Sequence, residues 1–169
     1  MQLHPVVWLP EQVVFEILSE ADRWFDLETG GTFMGYKSGD GDIVVTEHIG
    51  AGPNATRERA RFEPDLSWQQ HQIDNHYSTS GRRDVYLGDW HTHPGGQAAR
   101  LSYTDMVCAR RIITTSTARQ DRPLLLIVNG EKGDWDLVPF VCRLHRPWGI
   151  FSRVDARPCD YRIYSNTPL

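Results

Sequence analysis

Val13, Val14, Ile17, Leu18, Ala21, Trp24 and Phe25 recur at three- and four-residue intervals, which predicts an amphipathic helix beginning near Pro10. Beyond Phe25 the period changes. Gly30-Gly31 breaks the helical pattern, residues 32–36 read as a strand, residues 37–42 as a polar turn and residues 43–46 as the partner strand. After a loop at residues 50–54 come a short strand near residues 59–63 and a more polar helix through Leu66, Ile73 and Tyr77, ended by residues 78–81. Next come a strand over residues 84–90, a third helix over residues 102–118 and a strongly strand-like run at residues 124–128. A turn at residues 129–134 and strands at residues 135–144 and 160–164 complete the order, with residues 146–149 irregular. Strands and helices are mixed without regular alternation, so the expected class is α+β, a curved mixed sheet flanked by helices.

The 169 residues are 40% hydrophobic and 24% charged, the balance of an ordinary globular protein, and one compact domain over residues 1–169 accounts for them. The longest aliphatic run is too short to span a bilayer, and the N-terminus has no basic segment leading into a long apolar stretch. The expectation is therefore a cytoplasmic protein with no membrane partner. Eighteen basic against 22 acidic residues leave a net charge of -4, which offers nucleic acid no general attraction. The clusters Arg57-Glu58-Arg59 and Arg82-Arg83 read as solvated surface charge. Cys108, Cys142 and Cys159 are odd in number and widely spaced, so free thiols are expected rather than a disulfide framework or a cysteine zinc site.

The chemistry concentrates in Asp89-Trp90-His91-Thr92-His93-Pro94. In extended backbone, positions i and i+2 face the same side, so the imidazoles of His91 and His93 can converge on one ion. Asp105, in the first turn of the third helix, completes three protein ligands and leaves a fourth position for water, the pattern of catalytic zinc. Water activated there needs a carboxylate that takes its proton without ligating the ion. Glu28, at the end of the first helix and just before glycines that would let the backbone bend, is the candidate. Ser102 would donate to the oxyanion of the tetrahedral intermediate. Each element also has a plainer reading: two ordinary histidines, a helix cap in Ser102-x-x-Asp105, a solvated Glu28. His4, His48, His71, His76 and His145 read as structural or surface residues, Cys108 as a small buried group, and Trp90 as a wall beside the metal.

The string His91-Thr92-His93-Pro94-Gly95-Gly96, followed by Ser102-x-x-Asp105 and preceded by Glu28-Thr29-Gly30-Gly31-Thr32-Phe33-Met34-Gly35, resembles the JAMM signature of the JAB/MPN metalloproteases. That resemblance implies a single JAB/MPN domain with His91, His93 and Asp105 as ligands of one zinc ion, Glu28 as general acid/base and Ser102 as oxyanion donor. The eight residues between His93 and Ser102 are one more than most of the family has.

By the same resemblance, the chain is similar to small bacterial JAB peptidases of antiphage operons, of the CBASS or Bil type. The implied activity is that of a deubiquitinase-like isopeptidase cutting after the tail of a ubiquitin-like protein, with E1-like and E2-like enzymes as associated partners. Residues 43–47 and the loop at residues 95–101 would flank the tail by strand addition. Two alternatives remain. A catalytically silent MPN scaffold would lack the polar ligands present here, and a JAMM hydrolase acting on a sulfur-carrier protein or small substrate would use the same site. Deaminase chemistry would need an H-x-E and a C-x-x-C pair, which the chain does not have.

Overall fold

Residues 5–96, 99–146 and 152–165 are described by a computed structural model. Strand β7 (Leu124–Glu131) begins with five consecutive aliphatic residues, none more than 2% exposed, so both of its faces must be covered. Its position meets that need. The strands form a strongly curled mixed sheet in the order β10-β1-β3-β2-β6-β7-β8-β9, with β7 between β6 (Val85–Pro94) and β8 (Asp134–His145). The remaining members are β1 (Val7–Pro10), β2 (Gly30–Lys37), β3 (Ile43–Ile49), β9 (Arg153–Pro158) and β10 (Tyr161–Tyr164). Apart from them, β4 (Thr56–Glu58) and β5 (Arg61–Glu63) form a two-stranded hairpin.

Helix α1 (Glu11–Trp24) lays Val13, Val14, Ile17 and Ala21 on one face of the sheet, against Leu9, Phe33, Trp90, Leu124, Leu126 and Val128. Helix α3 (Tyr103–Thr114) covers the other, where Ala109 and Ile112 pack on Leu125 and Cys142. Helix α2 (Leu66–Thr79) lies beside β2, β3 and β6.

The pairing β6–β7 is parallel, which antiparallel hairpins cannot supply. Helix α3 is the crossover between them. Its N-terminus consequently sits near the end of β6, and the histidines occupy that end.

The expected elements are present with shifted edges. The third helix stops at Thr114 rather than residue 118, because the β-branched run Ile112-Ile113-Thr114-Thr115 gives way to a separate 3-10 turn, Ser116–Ala118. The expected strand at residues 59–63 is the β4–β5 hairpin, with residues 59–60 as its turn. Strand β7 runs on through residue 131, so the turn after it is shorter than expected. Strands β1 and β9 are not among the elements that the sequence pattern predicts. The irregular stretch at residues 146–149 lies mostly outside the described residues, as does His4.

Asp84, just before β6, joins three elements. Its side chain, 2% exposed, accepts from Thr46 Oγ1 at 2.6 Å and Arg83 Nε at 2.7 Å, and sits 3.0 Å from His76 Nε2. Burial pushes this carboxyl up, but those partners outweigh it and hold the pKa at about 2. A depressed folded value stabilises the protein above the unfolded pKa of ~3.9 and loses that contribution as pH falls through the folded one. Asp84→Asn is therefore expected to cost on the order of 2 kcal/mol in urea unfolding at pH 7, with the gap to wild type narrowing toward pH 2.

Candidate metal centre

Strand β6 extends through Pro94, so His91 and His93 lie within regular strand. Their side chains share the α3 face. Trp90 does not. Adjacent strand residues point oppositely, and Trp90 is buried in the α1-side core with its ring edge-on to His48. The expectation that Trp90 walls the metal is thus overturned.

His91 Nε2 lies 3.0 Å from His93 Nε2 and 3.1 Å from Asp105 Oδ1, and His93 Nε2 lies 3.8 Å from Asp105 Oδ2. Donors held ~2.0–2.1 Å from an ion at tetrahedral corners are about 3.3 Å apart, so this spacing suits zinc. Two ring nitrogens this close repel unless a proton or a cation lies between them, and the carboxylate on the third side favours a cation. Among the described residues these three form a group able to hold a metal, and Glu28 is outside it.

The capping reading of Ser102-x-x-Asp105 also holds, at the same time. Ser102 Oγ accepts from the Asp105 N–H at 3.2 Å, and the Ser102 N–H donates to Asp105 Oδ2 at 2.6 Å. This capping box fixes one carboxylate oxygen and turns the other to His91. The Ser102 hydroxyl also bonds to the Asp105 carboxyl. Burial pushes the Asp105 carboxyl up, but the bond and charge of His91 together with the two Ser102 bonds hold its pKa at about 2. Burial lowers the His93 pKa, helped by the His91 charge. A dissociated carboxylate and a neutral imidazole are the forms that bind metal.

Glu28 is not on α1, which ends four residues earlier, but in the linker to β2. It is half-buried. Desolvation raises its pKa, with the His91 charge opposing and the Asp105 charge adding, so its carboxyl lies within the field of the ligands. Sequence reasoning missed what holds it there: the residue between the histidines. The Thr29 N–H donates to Thr92 Oγ1 at 2.9 Å and the Thr92 N–H to the Thr29 carbonyl at 2.8 Å, both residues fully buried. The only signal was a hydroxyl flanked by two candidate ligands. Gly30 and Gly31 serve close approach rather than a bend. They are extended members of β2, and an added Cβ would strike the Trp90 carbonyl and the Ile49 carbonyl respectively.

Three other expectations need correction. Cys108 is exposed, although all three cysteines are free as expected. Arg57 is not solvated; its side chain is 12% exposed and paired with Glu20. Strand β3 is paired to both β1 and β2 at Ile43 and Val44, so those two residues of the 43–47 stretch have no open edge for strand addition. The loop after the histidines is anchored by Asn129, whose Nδ2 donates to the Gly96 carbonyl at 3.1 Å. Gln97 and Ala98, within that longer loop, lie outside the described residues. His48 and His76 pair with Glu16 and Asp84, in keeping with structural roles.

A curled mixed sheet carrying two strand histidines and a helix-borne carboxylate defines an α+β protein with a candidate mononuclear metal centre. The chain belongs to the prokaryotic homologues of the JAB domain, whose family profile matches residues 10–140. It is 43% identical over 159 residues to a Sinorhizobium fredii protein named "probable metalloprotease y4qB", covering 94% of this chain and 97% of that one. A Vibrio cholerae protein named "CD-NTase/cGAS isopeptidase" is 30% identical over 108 residues, covering 64% of this chain and 65% of its own length. A solution structure of the Desulfitobacterium hafniense protein DSY2949 shares the fold, with a TM-score of 0.64 and 20% identity over 95% of this chain and 94% of that one. Among the described residues, no helix is long and apolar enough to cross a membrane.

Proposed function

We propose that residues 1–169 act as one zinc metallopeptidase domain that hydrolyses the amide bond after the C-terminal tail of a ubiquitin-like protein. The observation that carries this reading is the convergence of His91, His93 and Asp105 on one point with a half-buried carboxyl, Glu28, beside them but outside the ligand group. The relatives named metalloprotease and isopeptidase support it. Isopeptidase chemistry in turn supports association with E1-like and E2-like conjugating enzymes, as in bacterial antiviral defence. The three free thiols suit the reducing cytoplasm.

Zinc bound by the three ligands would supply Lewis acidity that makes water nucleophilic near neutral pH and polarises the scissile carbonyl. Glu28 takes the proton of the attacking water and delivers one to the leaving amine. Its raised pKa suits both directions of transfer. The Ser102 hydroxyl donates to the developing oxyanion while its oxygen still caps α3.

The test is cleavage of two conjugates of a Gly-Gly-ended ubiquitin-like protein, one joined to a lysine side chain and one to a linear fusion. The expected product of each ends at the second glycine. Intact conjugates after incubation with zinc-loaded protein would refute the reading.

A further inference from the structure

Glu28 stands in a short linker, and a linker needs a second support besides the Thr29–Thr92 bonds. The β4–β5 hairpin provides one: the Glu28 N–H donates to the Glu58 carbonyl at 2.8 Å. This hairpin has strands of only three residues that, among the described residues, pair with each other alone, an arrangement only marginally stable in isolation. Something must fasten it to the body of the protein. The neighbour of Glu58, Arg57, does so.

The Arg57 guanidinium touches three residues, one in the linker and two on α1. Nε donates to Thr29 Oγ1 at 3.0 Å, Nη2 lies 3.4 Å from Glu20 Oε1 on α1, and Cζ stands 4.1 Å over the ring of Trp24 at the end of α1. Thr29 Oγ1 in turn donates to Glu20 Oε1 at 3.4 Å. The residue after Glu28 is thereby bonded to Arg57, and Glu28 itself to the residue after Arg57. Lysine cannot replace this arrangement. A planar fork stacks on the indole while bonding at its edge, and an ammonium offers a point charge without the plane.

We propose that Arg57 is a positioning residue for the reaction: by clamping the hairpin to Thr29 and α1, it holds the Glu28 carboxyl at the metal site. The assignment rests on Glu28 as the general base. It predicts a coupling. Arg57→Lys and Thr29→Val break the same bond from opposite ends, and valine leaves the Thr29 backbone bonds to Thr92 in place.

The test uses zinc-loaded wild type, both single variants and the double variant. Two readouts are taken: amide hydrogen exchange, and cleavage of a Gly-Gly-ended ubiquitin-like protein fused to a fluorescent protein. Each single variant is expected to lower kcat on the order of ten- to a hundredfold with KM within about twofold, and the double variant to be no worse than the poorer single. Exchange at the Glu28 amide should quicken about tenfold in Arg57→Lys while amides of β6 and β7 keep their wild-type protection. Wild-type kcat in Arg57→Lys, multiplying effects in the double variant, or exchange rising equally across the sheet would each overturn the proposal. If wild type leaves the probe uncut, the peptidase reading fails by itself. The exchange experiment still decides the positioning role, since an unchanged Glu28 amide in Arg57→Lys refutes it.

Discussion

Glu28→Gln is expected to keep one zinc per chain and the wild-type fold while losing on the order of 10²–10⁴ in kcat. Glutamine fills the same space and can still donate and accept hydrogen bonds, so the linker bonds from Glu28 N–H to Glu58 and from Thr29 to Thr92 persist. The change removes the group able to take a proton near neutral pH. The carboxyl is suited to that task by partial burial, which raises its pKa, moderated by the nearby His91. Metal analysis and single-turnover cleavage on the same preparation check the result. Wild-type turnover by Glu28→Gln would remove Glu28 from the chemistry.

His91→Ala should have the second large effect, through the metal. It leaves His93 and Asp105, two ligands where a catalytic zinc needs three, so zinc should be lost and cleavage with it. Its structural consequence is expected to be milder. His91 faces α3 rather than the α1-side core, and the capping box that orders the start of α3 uses Ser102 and Asp105 alone. Apo protein of either kind should therefore melt as a folded protein. The zinc-dependent rise in Tm, set by mass action, should be present in wild type and absent in His91→Ala. An equal rise in both would place the metal elsewhere.

The candidate ligands were legible in the sequence because their signals are local. His91 and His93 are two apart in a strand, and Ser102-x-x-Asp105 opens a helix; each needs only the period of its own element. The meeting of the two depends on the parallel β6–β7 pairing, which is long-range. The unread parts share that dependence. Strand β1 is four residues held by parallel partners, Ile43 and Val44 on one side and residues 161–164 on the other, and no alternation within Val7-Trp8-Leu9-Pro10 announces them. Arg57 looked like solvated charge because its partners, Glu20, Trp24 and Thr29, lie some thirty residues away. Trp90 was misplaced by sequence adjacency to His91, although strand alternation sends neighbours to opposite faces. Gly30 and Gly31 were read through conformation, whereas their role is to let β3 and β6 approach β2.

The central claim, a metal seated between two strand histidines and a helix-borne aspartate, is tested most directly by a crystal structure of the zinc-loaded protein with anomalous data at the zinc edge. One anomalous peak is predicted, ~2.0–2.1 Å from His91 Nε2, His93 Nε2 and one Asp105 oxygen, with Glu28 outside bonding distance. A zinc peak on other residues, or the two imidazoles hydrogen-bonded to each other in zinc-saturated crystals, would contradict it.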